Sequence, residues 1–514
     1  MATETELKLH IDPADADKLM QHPLLQSATG KQAPQHLYNV YFDTPEEDLL
    51  QQGIGLRVRR IGDKRVQTIK TAGSGLGGLH QRKEWETEVT GDKPDYTLFP
   101  KKALPKWCDD KKNITKIKPL FTTDFMRTSW DVIFDGSQIE VSLDQGEVKT
   151  EKASIPLSEV ELELKSGEAE TLFQLALTLQ EAIPLRIENN SKAAKGYTLH
   201  HPKSPQIHKA GAVIVTPDMT TEQAFVYIVW HCLKHLQANE DMVLHGEDIE
   251  GVHQMRVALR RLRSCLTLYQ PLIPKQRHAK LRKALKWISQ ILGMAREWDV
   301  FALSLQNLQS QEHKLSLPPI IKRELEHLQT TVSSHQIEAY VTVRDALRSQ
   351  DYSRLLLSFG KWLTKRSWRR KLKTTALENL DHPALDFANK ILNQHAHSVK
   401  EQGKTLAQLE LEQLHELRIA IKQMGYGTRF FTALYPRDLA RPYTKTLSVL
   451  QDELGILNDG HIASDLLNQA GLSSDTPVRH FLNGWYAHQQ VTRLASLEPA
   501  WQTFLEQPIF WKDL

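Results

Sequence analysis

The period of the hydrophobic pattern changes once along this chain, near residue 200, and that change divides it into two folds. Before it the period is two. Glu4, Glu6 and Lys8 alternate with Thr5, Leu7 and Leu9; Arg57 and Arg59 with Leu56 and Val58; Glu140, Ser142 and Asp144 with Val141 and Leu143; Glu161, Glu163 and Lys165 with Val160, Leu162 and Leu164. Such spacing puts each set on one face of a strand. Turn-forming residues separate the strands at Thr44-Pro45, at Gly73 to Gly78 and at Asp135-Gly136. Helical spacing intervenes over 13–21 and 167–182, the second with Leu172, Leu175, Ala176 and Leu179 on one stripe. The first half predicts an antiparallel sheet or barrel with added helices.

Beyond residue 217 the period becomes 3.6, and the chain repeats itself. VHQMRVALRRLRS at 252–264 aligns with LHELRIAIKQMGY at 414–426, ISQILGMAREWD at 288–299 with LQDELGILNDGH at 450–461, and His235 with His397, all at one constant offset. A constant offset over so long a stretch indicates duplication, and its length suits two related helical bundles rather than a solenoid of small repeats. The expected organisation is a first domain over 1–200, a Pro-containing linker over 201–217, and a helical domain over 218–510 with halves at 218–345 and 380–510.

Charge divides the same way. Residues 1–200 hold 26 Lys and Arg against 31 Asp and Glu, whereas the rest holds 39 against 31. A basic half implies a polyanionic partner. No apolar stretch suits a membrane span, the N-terminus carries no signal-peptide pattern, and the three dispersed cysteines form no disulfide framework, so the chain reads as cytoplasmic.

In the first half, carboxylates gather on some strands (Glu4 and Glu6; Asp144; Glu161 and Glu163) and cations on others (Arg57 and Arg59; Lys70; Arg82; Arg127). One such strand alone reads as a solvated face. The segregated set suits a chelate of a divalent cation with a polyphosphate, because guanidinium forks match phosphate oxygens and carboxylates hold hard cations. Charges pointing inward need a wet interior, which a closed barrel provides. Neither a Ser–His–Asp or Cys–His set nor a P-loop offers competing chemistry.

The ordered series ETELK (4–8), YFDTP (41–45), GLRVRR (55–60), TIKTAG (68–73), GLHQRKEWE (78–86), PLFTTDFMRTSW (119–130), SLDQGEV (142–148), ELELK (161–165) and NNSKAAKGY (189–197) resembles the CYTH family, the triphosphate tunnel metalloenzymes, and most closely their inorganic triphosphatase branch. That resemblance implies an eight-stranded antiparallel barrel forming a tunnel. It places Glu4, Glu6, Asp144, Glu161 and Glu163 at metal positions for Mg²⁺ or Mn²⁺. It places Lys8, Arg57, Arg59, Lys70, Arg82 and Arg127 at phosphate-binding positions, with Lys192 and Lys195 as further phosphate ligands near the tunnel mouth. Two ions suit the chemistry, Glu161 and Glu163 placing the one that activates water, Glu4 and Glu6 orienting the other.

In the second half, His253, Arg256, Arg260 and Arg263 share one helix face opposite Val252, Leu259, Leu262 and Leu266, and His415, Arg418 and Lys422 repeat the pattern. Gly425 stands where the first copy has Arg263, and Arg429 follows one turn later. HQMRVALRRLRS, LGMAREWD, HELRIAIK and LGILND resemble the CHAD family, helical domains linked to polyphosphate binding. The resemblance implies that role for these seven residues, with His235 and His397 as further candidates. A basic run from Lys361 to Lys373 containing Trp362 and Trp368 keeps nucleic acid open as a partner.

The reading is thus an α+β, multidomain chain: an N-terminal barrel tunnel that hydrolyses inorganic triphosphate to pyrophosphate and phosphate, and a C-terminal all-α duplicated bundle that binds polyphosphate, with no membrane partner. The alternatives are another triphosphate (thiamine triphosphate or a nucleotide), cyclisation of ATP, or a non-catalytic polyphosphate or nucleic-acid binder.

Overall fold

The computed structural model describes residues 2–71, 74–76, 78–310, 317–370, 372–456 and 459–511. Two compact units emerge, one of Met1–Pro205 with Arg348–Arg366, the other of Gln206–Leu347 with Ser367–Leu514.

In the first unit eight antiparallel strands close into a barrel: β1 (Ala2–Ile11), β2 (Gln35–Asp43), β3 (Ile54–Ile61), β4 (Lys64–Thr71), β5 (Leu79–Glu88), β6 (Lys118–Phe134), β7 (Ser137–Lys149) and β8 (Ser154–Ser166). The circuit runs β1-β8-β7-β6-β2-β3-β4-β5 and returns to β1 through the Glu4↔Arg82 and Glu6↔His80 pairs. Part of the barrel's outer face is apolar. Leu7, Leu9, Val141, Leu143, Val160 and Leu162 face outward and are buried. Helix α1 (Glu170–Leu179) contacts β1 and β8 and buries Leu172, Leu175, Ala176 and Leu179. That is the stripe the sequence predicted. A further helix, Gln350–Lys365, covers α1: Gly360 lies so close to Phe173 that a Cβ there would collide with its ring.

One end of the barrel interior is dry. Leu37, Tyr41, Phe121, Phe125, Val148 and Leu157 fill it, and helix α2 (Lys192–His200) adds Tyr197. A Cβ at Gly146 would collide with the Asp124 carbonyl and with Phe125, and one at Gly196 with the Phe121 ring. Beyond this apolar plug the interior becomes charged within one strand register, at Arg127↔Asp144 and Asp144↔Glu159.

Residues 202–216 contain no helix or strand. The second unit is helical, and the duplication is visible in it. Helices begin at Thr221, Glu250 and Ala279, and again at Ala384, Leu411 and Arg437. Thr220 and Gln223 form a capping box at the first of these starts, and Glu410 and Gln413 at the fifth. Trp501, Phe504, Phe510 and Trp511 are buried, so this aromatic stretch packs on the bundle. Among the described residues no helix is long and apolar enough to cross a membrane.

Candidate active site

The alternation of β1, β7 and β8 turns their carboxylates to one lumen. Asp144 Oδ, Glu159 Oε and Glu161 Oε offer atoms that all lie within 4.8 Å of one another. Asp144 and Glu159 are fully buried. Cations fill the space between them. Lys192 Nζ lies 2.6 Å from Asp144, 2.9 Å from Glu161, and also contacts Glu159. Arg127 donates to Asp144 at 2.7 and 2.6 Å and also to Glu161. Lys8 bridges Glu161 and Glu6, the latter at 3.0 Å.

These pairs set the ionisation. Burial alone would raise the Glu161 carboxyl, but Lys192, Lys8 and Arg127 outweigh it and hold it well below the usual range. Asp144 is held low by Arg127 and Lys192 against the same burial. The Lys192 ammonium, disfavoured by burial, is raised by Asp144, Glu159 and Glu161.

Of the carboxylates expected to serve a metal, Asp144 and Glu161 converge, joined by Glu159. Glu4, Glu6 and Glu163 stand apart from that group. Glu4 receives Lys70 at 2.6 Å, and Glu163 receives Lys165 at 2.8 Å. Glu159 continues the Glu161–Glu163 alternation by one step, a signal present in the sequence and not used. Lys195 reaches Glu159 at 3.1 Å and Glu188 at 2.8 Å.

The opposite wall is cationic. Arg59 Nε donates to Asn39 Oδ1 at 2.7 Å, and no carboxylate is paired with it among the described residues. Burial, with Arg57 and Arg127 nearby, pulls its pKa down to about 9. Arg57 lies 3.8 Å from both Glu84 and Glu86, and Arg82 donates to His80 Nδ1 at 2.9 Å. Signs are therefore mixed on β5, where Arg82 shares a face with Glu84 and Glu86, and the strict segregation expected from sequence fails there. The reason is local neutralisation: Lys70 lies between Glu4 and Glu84, the latter at 3.3 Å. Burial raises Glu84 to about 7, with Lys70 opposing and Glu4 adding to the rise.

In the second unit, the helix Glu250–Leu268 buries Val252, Leu259, Leu262 and Leu266 and leaves Arg260 and Arg263 exposed, His253 and Arg256 half-buried. Burial and then Arg296 lower the His253 pKa; burial and then Arg260 lower that of Arg256. His415 is exposed, Arg418 and Lys422 half-buried. A Cβ at Gly425 would meet the side-chain amide of Gln451, which would have to move aside to admit it. Arg429 is exposed. His235 is buried, its Nε2 3.0 Å from the His208 carbonyl and 3.1 Å from Gln254 Oε1, a packing role; His397 is exposed. Trp362 and Trp368 are buried, and Trp368 donates to Glu222 at 2.8 Å, so neither offers the free ring face that base stacking needs. The LGILND stretch lies partly outside the described residues.

Comparison with known proteins follows this division. Residues 2–197 match the family model of the CYTH domain and residues 227–468 that of the CHAD domain. An inorganic triphosphatase of Haemophilus influenzae is 36% identical over 204 residues, which is 39% of this chain and 55% of that protein. An uncharacterized protein of Mycobacterium tuberculosis is 24% identical over 350 residues, 66% of this chain and 61% of the relative. The match thus spans less than two thirds of the length of either curated relative. The crystal structure of the CHAD domain from the plant Ricinus communis is 30% identical, covers 59% of this chain and 98% of that one, and superposes with a TM-score of 0.50.

Proposed function

From the premise that this chain is a CYTH–CHAD protein, with its CYTH domain at residues 2–197 and its CHAD domain at 227–468, we propose that the barrel hydrolyses inorganic triphosphate to pyrophosphate and phosphate with the help of Mg²⁺ or Mn²⁺. One observation carries this reading: Arg59, half-buried in the barrel, forms no ion pair with a carboxylate among the described residues. A half-buried guanidinium with no ion-paired carboxylate and with Arg57 and Arg127 beside it is unfavourable, and a multiply charged anion in the lumen offsets that cost. The similarity to a protein named inorganic triphosphatase supports the choice of anion.

In this reading Arg57, Arg59, Lys70 and Arg82 receive phosphate oxygens, and Arg127 orients Asp144 and Glu161. The convergent carboxylates Asp144, Glu159 and Glu161 present only oxygen donors, which fits a hard divalent cation. Glu4, Glu6 and Glu163, on strands β1 and β8, are the candidates for holding a second. A bound ion would supply charge neutralisation on the phosphate oxygens and a water of lowered pKa. The apolar plug around Phe121 and Phe125 excludes water from one end, which strengthens every charge interaction beside it.

The helical unit binds polyphosphate in this proposal, through His253, Arg256, Arg260 and Arg263 and through His415, Arg418 and Lys422. The lowered pKa values of His253 and Arg256 are in keeping with it: burial first, and then the neighbouring Arg296 and Arg260, disfavour the charged forms, and a bound anion would offset both.

Turnover of triphosphate, ATP and thiamine triphosphate with Mg²⁺ tests the activity, with Glu4→Gln/Glu6→Gln as control. The expected result is a preference for inorganic triphosphate that the double variant loses. Equal rates on all three, or activity surviving the double variant, overturns it.

A further inference from the structure

Lys192 occupies an unusual place. Its ammonium stands among the three carboxylates whose oxygens converge most closely in the barrel, and its other neighbour is the Phe125 ring, 5.0 Å from Nζ to the centroid. We propose that Lys192 is a built-in cation holding the place of the divalent ion, and that it leaves these carboxylates when the ion binds. This rests on the metal-dependent reading above and adds a competitor to it.

The first argument is charge. Asp144, Glu159 and Glu161 already face four cations: Lys192, Arg127, Lys195, shared with Glu188, and Lys8, shared with Glu6. Adding a divalent ion to a cluster that is already neutralised is unfavourable in a low-dielectric interior unless a cation departs or an anion enters. One of the four must give way for an ion to bind alone.

The second argument identifies which. Arg127 is held by two hydrogen bonds to Asp144 and a further one to Glu161, and Lys8 is shared between Glu161 and Glu6. Lys195 reaches Glu159 but not the other two carboxylates. Lys192 alone bridges all three, and it is the first residue of the nine-residue helix α2. Residues 188–191 before it form no helix or strand, and Ser191 caps the helix by accepting the Ala194 N–H at 3.1 Å. A cation in the first turn opposes the helix dipole, so α2 itself does not hold the ammonium inward; the carboxylates do.

The test is Mn²⁺ affinity, measured by calorimetry on the full chain without phosphate. Lys192→Met is expected to bind Mn²⁺ at least tenfold more tightly than the unaltered chain, because it keeps the stem and removes the competitor. Lys192→Arg is expected to keep the weaker affinity. An unchanged or weakened Mn²⁺ affinity in a normally folded Lys192→Met variant overturns the proposal. If that variant melts early, Lys192→Gln carries the same comparison with a neutral hydrogen-bonding side chain. Triphosphate turnover by the unaltered chain with Mg²⁺ judges the underlying reading separately, so a turning-over chain with no affinity gain on substitution sinks the competitor idea alone.

Discussion

The Tyr197 hydroxyl donates to Asp43 Oδ2 at 2.8 Å, joining residues 154 positions apart. Asp43 also accepts the N–H groups of Thr44, Leu49 and Leu50 at 2.7–3.0 Å, so one buried carboxylate ties the end of β2 to helix α2. The aspartate of the YFDTP motif and the tyrosine of SKAAKGY are therefore a structural latch, and Lys192 and Lys195 hang from it. Tyr197→Phe should cost about 1 kcal/mol and Asp43→Ala about 2–4 kcal/mol, the second more because three backbone donors lose their partner. Urea unfolding midpoints check the order; equal costs contradict the latch.

Gly196 should tolerate no side chain. A Cβ there collides with Phe121, whose ring stacks on Tyr41 at 4.7 Å and meets Tyr197 edge-on at 5.0 Å. Gly196→Ala is expected to displace α2 and open the apolar plug that it completes around Phe121, lowering triphosphate turnover tenfold or more. Steady-state kinetics on a variant whose circular dichroism is unchanged provides the check.

Arg59 opposes stability in order to bind. Arg59→Gln should raise the stability of the phosphate-free chain, by at most on the order of 1 kcal/mol, because a half-buried cation crowded by Arg57 and Arg127 disappears. The same variant should lose the stabilisation that added triphosphate gives, which for ligand at a hundred times its Kd amounts to about 2.7 kcal/mol. Thermal shift with and without triphosphate reads both effects, and a destabilised phosphate-free variant would count against the role.

Glu84 should write itself into the pH dependence. Its folded pKa of about 7 lies above the ordinary carboxylate value, so folding takes up a proton between the two. The stabilisation is present in full below the ordinary value and is lost as pH rises toward 7. Glu84→Gln should therefore flatten the melting curve between pH 5 and 8, gaining stability relative to the unaltered chain at pH 8. A melting temperature for the unaltered chain that is level across this window would rule the shift out.

Residues 348–366 belong with the barrel, although they fall between the helical repeats in sequence. Ser353 accepts the Ile187 N–H at 3.3 Å, Gln350 and Gln180 exchange hydrogen bonds, and Lys365 pairs with Glu170. A fragment of residues 1–205 uncovers α1 at Phe173. It should melt below the full chain's barrel transition and bind a hydrophobic dye. A fragment as stable as the barrel in the full chain would show the helix to be dispensable.

Much of this protein follows from residue order alone. Period-two alternation commits Glu4, Lys8, Arg57, Asp144 and Glu161 to one face of their strands whatever the tertiary fold, because successive side chains on a strand point oppositely. In the same way 3.6-residue spacing commits Arg256, Arg260 and Arg263 to one helix face, and the duplication survives as helices starting at Thr221, Glu250 and Ala279 and again at Ala384, Leu411 and Arg437. What the tertiary structure decided is which charge meets which. Glu159 joins Asp144 because β8 pairs with β7 in one register, Lys192 reaches both because α2 folds back over the barrel's apolar end, and Gln350–Lys365 leaves its neighbours in sequence to cover Phe173. Alternation fixes the direction of a side chain. Only the closure of the barrel and the return of distant segments fix its partners, and in a low-dielectric interior the partners determine which groups stay charged.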